Sequence, residues 1–151
     1  MSNWLEHTVQ VEVDAPIETV WSLWSDLSQM PRWMAMIQSV EVRPDKPELS
    51  RWTLSTRGLT FHWQARLVKS IPHQLIQWES VTGLPNRGAI RFYDRGAAGS
   101  VVKLSLGYDV PKILGQLVEG FVGPHVEATL QADLERFREY IHSNRQHPLP
   151  S

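Results

Sequence analysis

Five ionisable side chains are candidates for acid–base chemistry in this sequence: His62, Glu79, Arg91, Arg57 and Asp109. Aldol cyclisation or dehydration would need a proton donor and a proton acceptor within hydrogen-bond reach of the substrate, with pKa values shifted by burial. The alternation of polar and apolar residues predicts that His62, Glu79 and Arg91 point away from the interior, with Arg91 available to an outward charge such as Glu79. Arg57 and Asp109 lie at predicted strand ends, where solvated charges are normal. No catalytic residue is therefore predicted.

Patterns typical of metal, nucleotide and nucleophile sites are also missing. The six histidines are scattered, cysteine is absent and there is no H-E-x-x-H motif, so no metal site is predicted. No glycine-rich loop follows a predicted strand and opens a helix, because the GLPNRG run at 83–88 precedes a strand. No G-x-S-x-G elbow is present. We therefore expect no cofactor.

The positive signal is a large apolar, aromatic face. If a curved sheet wraps a single helix, its inner face is larger than the helix can cover, and the remainder becomes a thicker core or a cavity. Apolar ligand pockets hold about 300–1,000 Å³ and contain few polar groups. The polar contacts predicted here are Tyr108, Thr56, Ser80 and the indole N–H groups. The residues predicted to line a ligand cavity are Trp52, Leu54, Thr56, Phe61, Trp63, Trp78, Ser80, Ile90, Phe92, Leu104, Leu106, Tyr108, Leu117 and Phe121.

Six strands are predicted after residue 35, at 36–43, 49–57, 60–69, 74–82, 88–94 and 101–110. They are sequential, and we expect them to be antiparallel, because no crossover helix separates them. For the hairpin within 49–69 we predict Gly58-Leu59 as the connecting pair, so that Leu54 faces Trp63. This register keeps apolar residues on one face, although it places Arg51 opposite Arg66, a mildly unfavourable pair.

The N-terminal segment changes its hydrophobic period within a few residues. Residues 9–13 alternate valine with polar side chains, which predicts a half-buried strand. Pro16 suits the first turn of a following helix, with Asp14 or Ala15 as its cap. The apolar residues at helical spacing, predicted to form its buried stripe, are Ile17, Val20, Trp21 and Trp24.

Two further helical segments follow from the pattern. A second short helix is predicted to start near Asp26, with Pro31 forcing an early end or a bend. Helical periodicity returns from Lys112 to about Ser143, with a break at Gly123-Pro124 and Pro124 opening the longer helix. Three glycines make 112–123 weakly helical, so this segment is either loosely formed or a movable gate to the cavity.

The stretch from His7 to Trp33 resembles the N-terminal signature of the START-like, birch-pollen-allergen-like (SRPBCC) superfamily. Within it, the stretch is similar to the polyketide cyclase/dehydrase and coenzyme Q-binding group. The resemblance implies an α+β helix-grip fold: a seven-stranded antiparallel sheet wrapped around a long C-terminal helix, two short helices after strand 1, and an internal apolar cavity. The matching residues are Asp14, Ala15, Pro16, Val20, Trp21, Asp26, Pro31 and Trp33.

The composition predicts one globular domain. A chain of 151 residues with 42% hydrophobic and 21% charged residues can bury a single core. We expect the domain to span 1–145, with 146–151 as a frayed tail. A net charge of −1 argues against nucleic acid as a partner. No apolar run approaches the ~20 residues of a membrane span, the N-terminus has no signal-peptide layout, and cysteine is absent, so we expect a cytoplasmic protein.

The leading hypothesis is non-catalytic binding or transport of a small hydrophobic ligand, such as a lipid, an isoprenoid quinone or a polyketide-like compound. The first alternative is an aromatase/cyclase-like enzyme. The second is a protein-interaction module with a filled core, whose outer sheet face or Trp4 contacts a partner. A transient contact with a membrane or a protein is left open, and the sequence does not predict the oligomeric state.

The outward position predicted for His62 is testable by substitution. We expect His62→Ala to change the free energy of unfolding by no more than about 0.5 kcal/mol, as surface changes usually do. Ligand affinity should survive, whereas Trp63→Ala should weaken it by removing apolar contact area. Denaturant unfolding and a binding titration on both variants provide the measurement. Loss of function in His62→Ala alone would contradict the predicted strand orientation.

Overall fold

A computed structural model describes residues 4–56, 58–109 and 124–146. The predicted gate at 112–123 and residues 147–151 lie outside the described residues. The strands are β1 (Trp4–Val13), β2 (Ile37–Val42), β3 (Leu49–Thr56), β4 (Leu59–Ile71), β5 (Leu75–Gly83), β6 (Asn86–Asp94) and β7 (Ser100–Asp109). The helices are α1 (Ile17–Trp24), α2 (Pro124–Gln146) and two 3₁₀ helices, Leu27–Arg32 and Gly96–Ala98.

The seven strands form one antiparallel sheet in the order β1-β7-β6-β5-β4-β3-β2. This arrangement confirms the predicted α+β helix-grip fold, in which a curled sheet wraps a long C-terminal helix. The two short helices follow β1 as predicted, the second being a 3₁₀ helix that contains Pro31. Helix α2 begins at Pro124, the residue predicted to open it.

The β3–β4 hairpin differs from the predicted register by two residues. Thr56 pairs with Leu59 and Trp52 with Trp63, so the predicted Leu54–Trp63 pairing is wrong. Gly58 has φ 80°, a left-handed conformation that suits glycine in a tight connection. Because side chains alternate with a period of two, a shift of two residues moves the pairing along the strand and leaves the inner face unchanged.

The corrected register also changes the charge pairs on the outer face. Arg51 lies opposite Gln64 rather than opposite Arg66, so the predicted like-charge pair does not form. Arg66 lies opposite Glu79 and donates a hydrogen bond to its carboxylate. Glu79 is therefore paired with Arg66 rather than with Arg91, the partner that the sequence suggested. Such exposed pairs contribute at most about 1 kcal/mol.

The start of α1 also differs from the prediction. Pro16 itself occupies the N-cap position, in extended conformation with φ −62° and ψ 150°, so neither Asp14 nor Ala15 is the cap. The backbone of those two residues has other partners. The Asp14 N–H donates to His142 Nε2 at 3.1 Å, and the Ala15 carbonyl accepts from Ser100 Oγ at 2.7 Å. The connection after β1 thus attaches the strand end to α2 and β7.

Asp26 caps the 3₁₀ helix, close to the predicted helix start. Its Oδ1 accepts hydrogen bonds from Ser28 N at 3.3 Å and from Ser28 Oγ at 2.6 Å. The hydrogen bond from the Ser28 hydroxyl is the main reason why the pKa of Asp26 lies below its ordinary value. A capping residue that binds the first free backbone N–H groups is what a short, proline-containing helix needs.

An aromatic cluster joins the short helices to α2. The ring centroids of Trp24, Trp33 and Phe137 lie 4.9–5.1 Å apart, and all three side chains are fully buried. Trp21 was predicted on the buried stripe of α1, and this is wrong. The buried residues of α1 are Ile17, Val20 and Trp24. Trp21 is half-buried, and its ring packs edge-on against Phe92 with a centroid distance of 5.3 Å.

The burial of Trp33 predicts a large loss of stability on truncation. Trp33→Ala should lower the free energy of unfolding by about 3–5 kcal/mol, because it removes apolar contacts and leaves a cavity. Trp4→Ala is the matched control, since Trp4 is 36% exposed and contacts Arg87 at 4.7 Å on the surface. It should cost about 1 kcal/mol or less. Equal losses for the two variants in urea unfolding would contradict the central role of the cluster.

Candidate functional site

A cavity of about 100 Å³ lies between the inner face of the sheet and the first half of α2. Its wall combines side chains from six strands, from the 3₁₀ helix Leu27–Arg32, from α2 and from the connections that precede β2 and β6. Almost all of these side chains are apolar. The described residues that line it are Met30, Met34, Met36, Ile37, Trp52, Leu54, Trp63, Trp78, Leu84, Asn86, Leu104, Leu106, Tyr108, Val126, Leu130 and Asp133.

The structure brings half of the predicted residues to this cavity. Trp52, Leu54, Trp63, Trp78, Leu104, Leu106 and Tyr108 line it. Five others, Thr56, Phe61, Ser80, Ile90 and Phe92, are absent from its described wall, and Leu117 and Phe121 lie outside the described residues. Ile90 and Phe92 are instead buried in the core. Ser80 Oγ accepts a hydrogen bond from Asn86 N at 3.0 Å. Ligand contact by any of these residues stays a prediction.

Sequence reasoning missed the wall that does not come from alternating strands. Three methionines, Met30, Met34 and Met36, come from the 3₁₀ helix and the connection that follows it. Leu84 and Asn86 come from a stretch predicted to be a loop. Val126, Leu130 and Asp133 come from α2. Asp133 had a visible signal, because it falls at i+3 from Leu130 and so places a carboxylate on the apolar stripe of a helix.

Three indole rings stack along one side of the cavity. Trp52 lies between Trp63 and Trp78, with centroid distances of 5.6 and 5.8 Å and interplanar angles of 18° and 19°. Gly88 permits the position of Trp78, because a Cβ atom there would overlap with the Trp78 ring. Trp52 Nε1 donates to Ser50 Oγ at 2.9 Å, whereas the buried Trp63 Nε1 has no hydrogen-bond partner among the described residues.

Asn86 and Tyr108 are two residues with polar groups among those that line the cavity. They are cross-strand partners in β6 and β7. Asn86 accepts from Trp78 Nε1 at 3.2 Å and donates to the Leu84 carbonyl at 2.8 Å, so its orientation is fixed. Tyr108 Oη lies 3.2 Å from His7 Nε2. Burial raises the pKa of Tyr108 to about 12, so the phenol is protonated at physiological pH.

Asp133 is the acidic residue among those that line the cavity. It is 2% exposed, and its Oδ1 accepts from Ala35 N at 3.1 Å and from Arg136 Nη1 at 2.7 Å. The same Arg136 nitrogen donates to the Trp33 carbonyl at 2.8 Å. Burial raises the pKa of Asp133 despite these contacts, which act in the opposite direction. Oδ2 has no partner within the described part of the chain.

The remaining candidate residues lie elsewhere. His62 is exposed, with Nδ1 3.2 Å from Thr53 Oγ1 on the outer face, and Arg91 is exposed as well. Asp109 is half-buried at the end of β7, and Arg57 lies outside the described residues. Within the described ranges, no group of three or more histidines and carboxylates is placed to hold a metal ion. The same ranges contain no helix that is both long and apolar enough to cross a membrane.

The titration of Asp133 predicts a pH dependence of stability. A carboxyl whose pKa is raised by folding contributes stability that is fully present below the ordinary value of 3.8 and is lost as the pH rises through the raised value. The difference in unfolding free energy between wild type and Asp133→Asn should therefore shrink or reverse as the pH rises above about 4. Urea titrations at several pH values measure it, and a difference independent of pH would contradict the assignment.

Asp133→Ala is the companion variant for this experiment. It leaves the Ala35 N–H without its acceptor and should be less stable than Asp133→Asn by about 1–3 kcal/mol at every pH, because neither variant titrates at this position. Asp133→Asn retains an oxygen acceptor for that N–H and should cost less.

Comparisons with known proteins place this geometry in a family. A family model described as polyketide cyclase / dehydrase and lipid transport matches residues 13–138. An uncharacterized 17.2 kDa protein of Streptomyces lincolnensis is 26% identical over 137 residues, which are 90% of this chain and 89% of that protein. A crystal structure from Deinococcus radiodurans aligns with a TM-score of 0.72 and 28% identity, over 93% of this chain and 99% of the other.

The fold also matches an enzyme of known type. The Zhui aromatase/cyclase from Streptomyces sp. R1128 aligns with a TM-score of 0.71 over 95% of this chain and 96% of its own. Its identity of 18% supports the common fold only. The family model covers most of the sequence, including the signature residues from Asp14 to Trp33 and the cavity-facing half of α2. The chain therefore belongs to the polyketide cyclase / dehydrase and lipid transport family.

Proposed function

We propose that this protein binds or transports a small hydrophobic ligand in the cavity between the sheet and α2, without changing it chemically. The observation that carries the proposal is the wall itself, in which three stacked indoles and several aliphatic side chains surround an apolar space. Burying apolar ligand surface against such a wall contributes about 25 cal/mol per Å². The absence of cysteine from the whole sequence favours a cytoplasmic site of action.

The size of the cavity limits the ligand that fits without rearrangement. A volume of about 100 Å³ is below the range of about 300–1,000 Å³ typical of ligand pockets. An engineered apolar cavity of about 150 Å³ holds benzene, so the unexpanded space suits at most one small ring. Met30, Met34 and Met36 lie on the wall, and methionine adapts its conformation readily. A longer ligand would therefore enter by displacement of these side chains.

The polar groups define where the ligand's own polar atoms would lie. Asn86, Tyr108 and Asp133 are the residues with polar groups in an otherwise apolar wall. A few convergent polar groups fix the orientation of a ligand in such a pocket. We propose an aromatic or isoprenoid-like body with a hydroxyl or comparable group at one end.

A second candidate function is favoured by one observation. Asp133 is a buried carboxyl with a raised pKa that borders the cavity, which is the environment of many general acids. An aromatase/cyclase-like reaction on a bound polyketide is therefore the alternative. A ligand recovered unchanged after prolonged incubation supports the carrier, and a product that forms with wild type but not with Asp133→Asn supports the enzyme.

Filling the cavity provides the test of binding. Leu106→Trp places a large ring into the space and should abolish saturable binding of toluene or a quinone, measured by quenching of tryptophan fluorescence. Val81→Trp is the matched control, because Val81 is 47% exposed and lies outside the described cavity wall. It adds the same ring and should leave affinity within about twofold. Equal binding by both variants, with both folded, would exclude the cavity as the site.

A further inference from the structure

Two of the three methionines in the cavity wall come from one short segment, residues 33–36. Met34 and Met36 line the cavity, whereas Ala35 between them is exposed. Both ends of the segment are fixed, because Trp33 is fully buried in the aromatic cluster and the segment leads directly into β2. The position of the backbone around Ala35 therefore determines how much space the methionine side chains leave in the cavity.

Helix α2 holds this segment through two side chains, Asp133 and Arg136, which we call the latch. They are three residues apart and are therefore neighbours on one face of the helix. The Ala35 N–H donates to Asp133 Oδ1 at 3.1 Å, and Arg136 Nη1 donates to the Trp33 carbonyl at 2.8 Å. The same Arg136 nitrogen donates to Asp133 Oδ1 at 2.7 Å, so each contact supports the other.

The burial of Asp133 makes release of the segment costly. Asp133 is 2% exposed, and a hydrogen bond to a buried charged group contributes more than one to a neutral group in water. The closed position of the segment, with the Ala35 N–H bound, is therefore the favoured state. A ligand that fits only the released state binds with an affinity lowered by the fraction of protein in that state. A ligand that fits the closed cavity avoids this loss.

We infer that the latch sets the size of the apolar ligand that the cavity admits. The closed cavity of about 100 Å³ suits a single small ring. Fused two-ring and longer ligands need the segment to move outward, and this movement breaks the hydrogen bond between the Ala35 N–H and Asp133. Asp133 and Arg136 are thus positioning residues that determine specificity. The inference rests on the proposed ligand-binding function and adds the size class of the ligand.

The experiment compares toluene with naphthalene, two probes without polar groups that differ mainly in size. Their dissociation constants are measured by calorimetry at one pH for wild type, Asp133→Leu and Asp133→Asn. Leucine has the same branched shape but no acceptor for the Ala35 N–H, so naphthalene affinity relative to toluene should rise about tenfold or more. This is the factor of one hydrogen bond to a charged group. Asparagine retains an oxygen acceptor, so the ratio should stay within about threefold of wild type.

Glu135→Leu is the matched control on the same helix. It removes a carboxylate that is paired with the arginine three residues later, Arg138 at 3.9 Å, as Asp133 is with Arg136. Glu135 is 50% exposed and lies outside the described cavity wall. The affinity ratio in this variant should stay within about twofold of wild type. A general loss of stability would not raise naphthalene affinity in either variant.

Amide hydrogen exchange at Ala35 tests the same inference on wild type, without dependence on the folding of a variant. With toluene bound, exchange at Ala35 should be as slow as in the free protein. With saturating naphthalene, exchange should be at least about tenfold faster, because the larger probe populates the state in which this N–H is released.

The outcomes separate this inference from the proposed function. Toluene binding with an unchanged affinity ratio in folded Asp133→Leu overturns the role of the latch and leaves ligand binding in place. An equal rise of the ratio in Glu135→Leu, or naphthalene binding that leaves exchange at Ala35 slow, also overturns it. Failure of both probes to bind wild type and variants overturns the proposed function together with this inference.

Discussion

The packing of Phe137 against Trp24 and Trp33 is the constraint on which the rest of the structure depends. These three rings join α1, the end of the 3₁₀ helix and the second half of α2 into one buried unit. Arg136 reinforces it by donating to the Trp33 carbonyl, and Asp133 does so by accepting from Ala35 N. One half of the long helix is thereby fixed against the short helices. Its first half lies over the sheet and forms part of the cavity wall.

The two halves of α2 therefore border different regions of the interior: the second half borders a closely packed core, and the first half borders the cavity. On the filled side, side chains such as Leu134 and Ile141 are almost completely buried. On the other side, the inner face of a seven-stranded sheet exceeds what one helix can cover, and methionines and indoles surround the remaining space. The polar atoms there are costly in an apolar setting unless they are hydrogen-bonded. Asn86 and Asp133 meet this requirement through neighbours on adjacent elements.

The sequence predicts the elements well and the details of the site only in part. Alternation identified the inner face because its period of two survives a two-residue error in hairpin register. The capping of α1 could not be predicted, since the backbone around Asp14 is used by His142, which is 128 residues away in sequence. No periodic sequence pattern could predict that Met30, Met34 and Met36 line the cavity, because they come from a 3₁₀ helix and an irregular connection. Asp133 was visible as a carboxylate on an apolar stripe, but only the packed structure places it against the cavity.

The stack of Trp63, Trp52 and Trp78 has an optical consequence. Indoles with centroids 5.6–5.8 Å apart and nearly parallel planes couple electronically and exchange excitation faster than they emit. The three rings therefore behave as one chromophore whose emission is drawn from whichever ring is lowest in energy. A quencher that reaches any ring of the stack darkens all three. Emission from this stack thus reports whether the cavity is occupied but not where in the cavity the ligand lies. The other four tryptophans, Trp4, Trp21, Trp24 and Trp33, are outside the described cavity wall and contribute a separate emission.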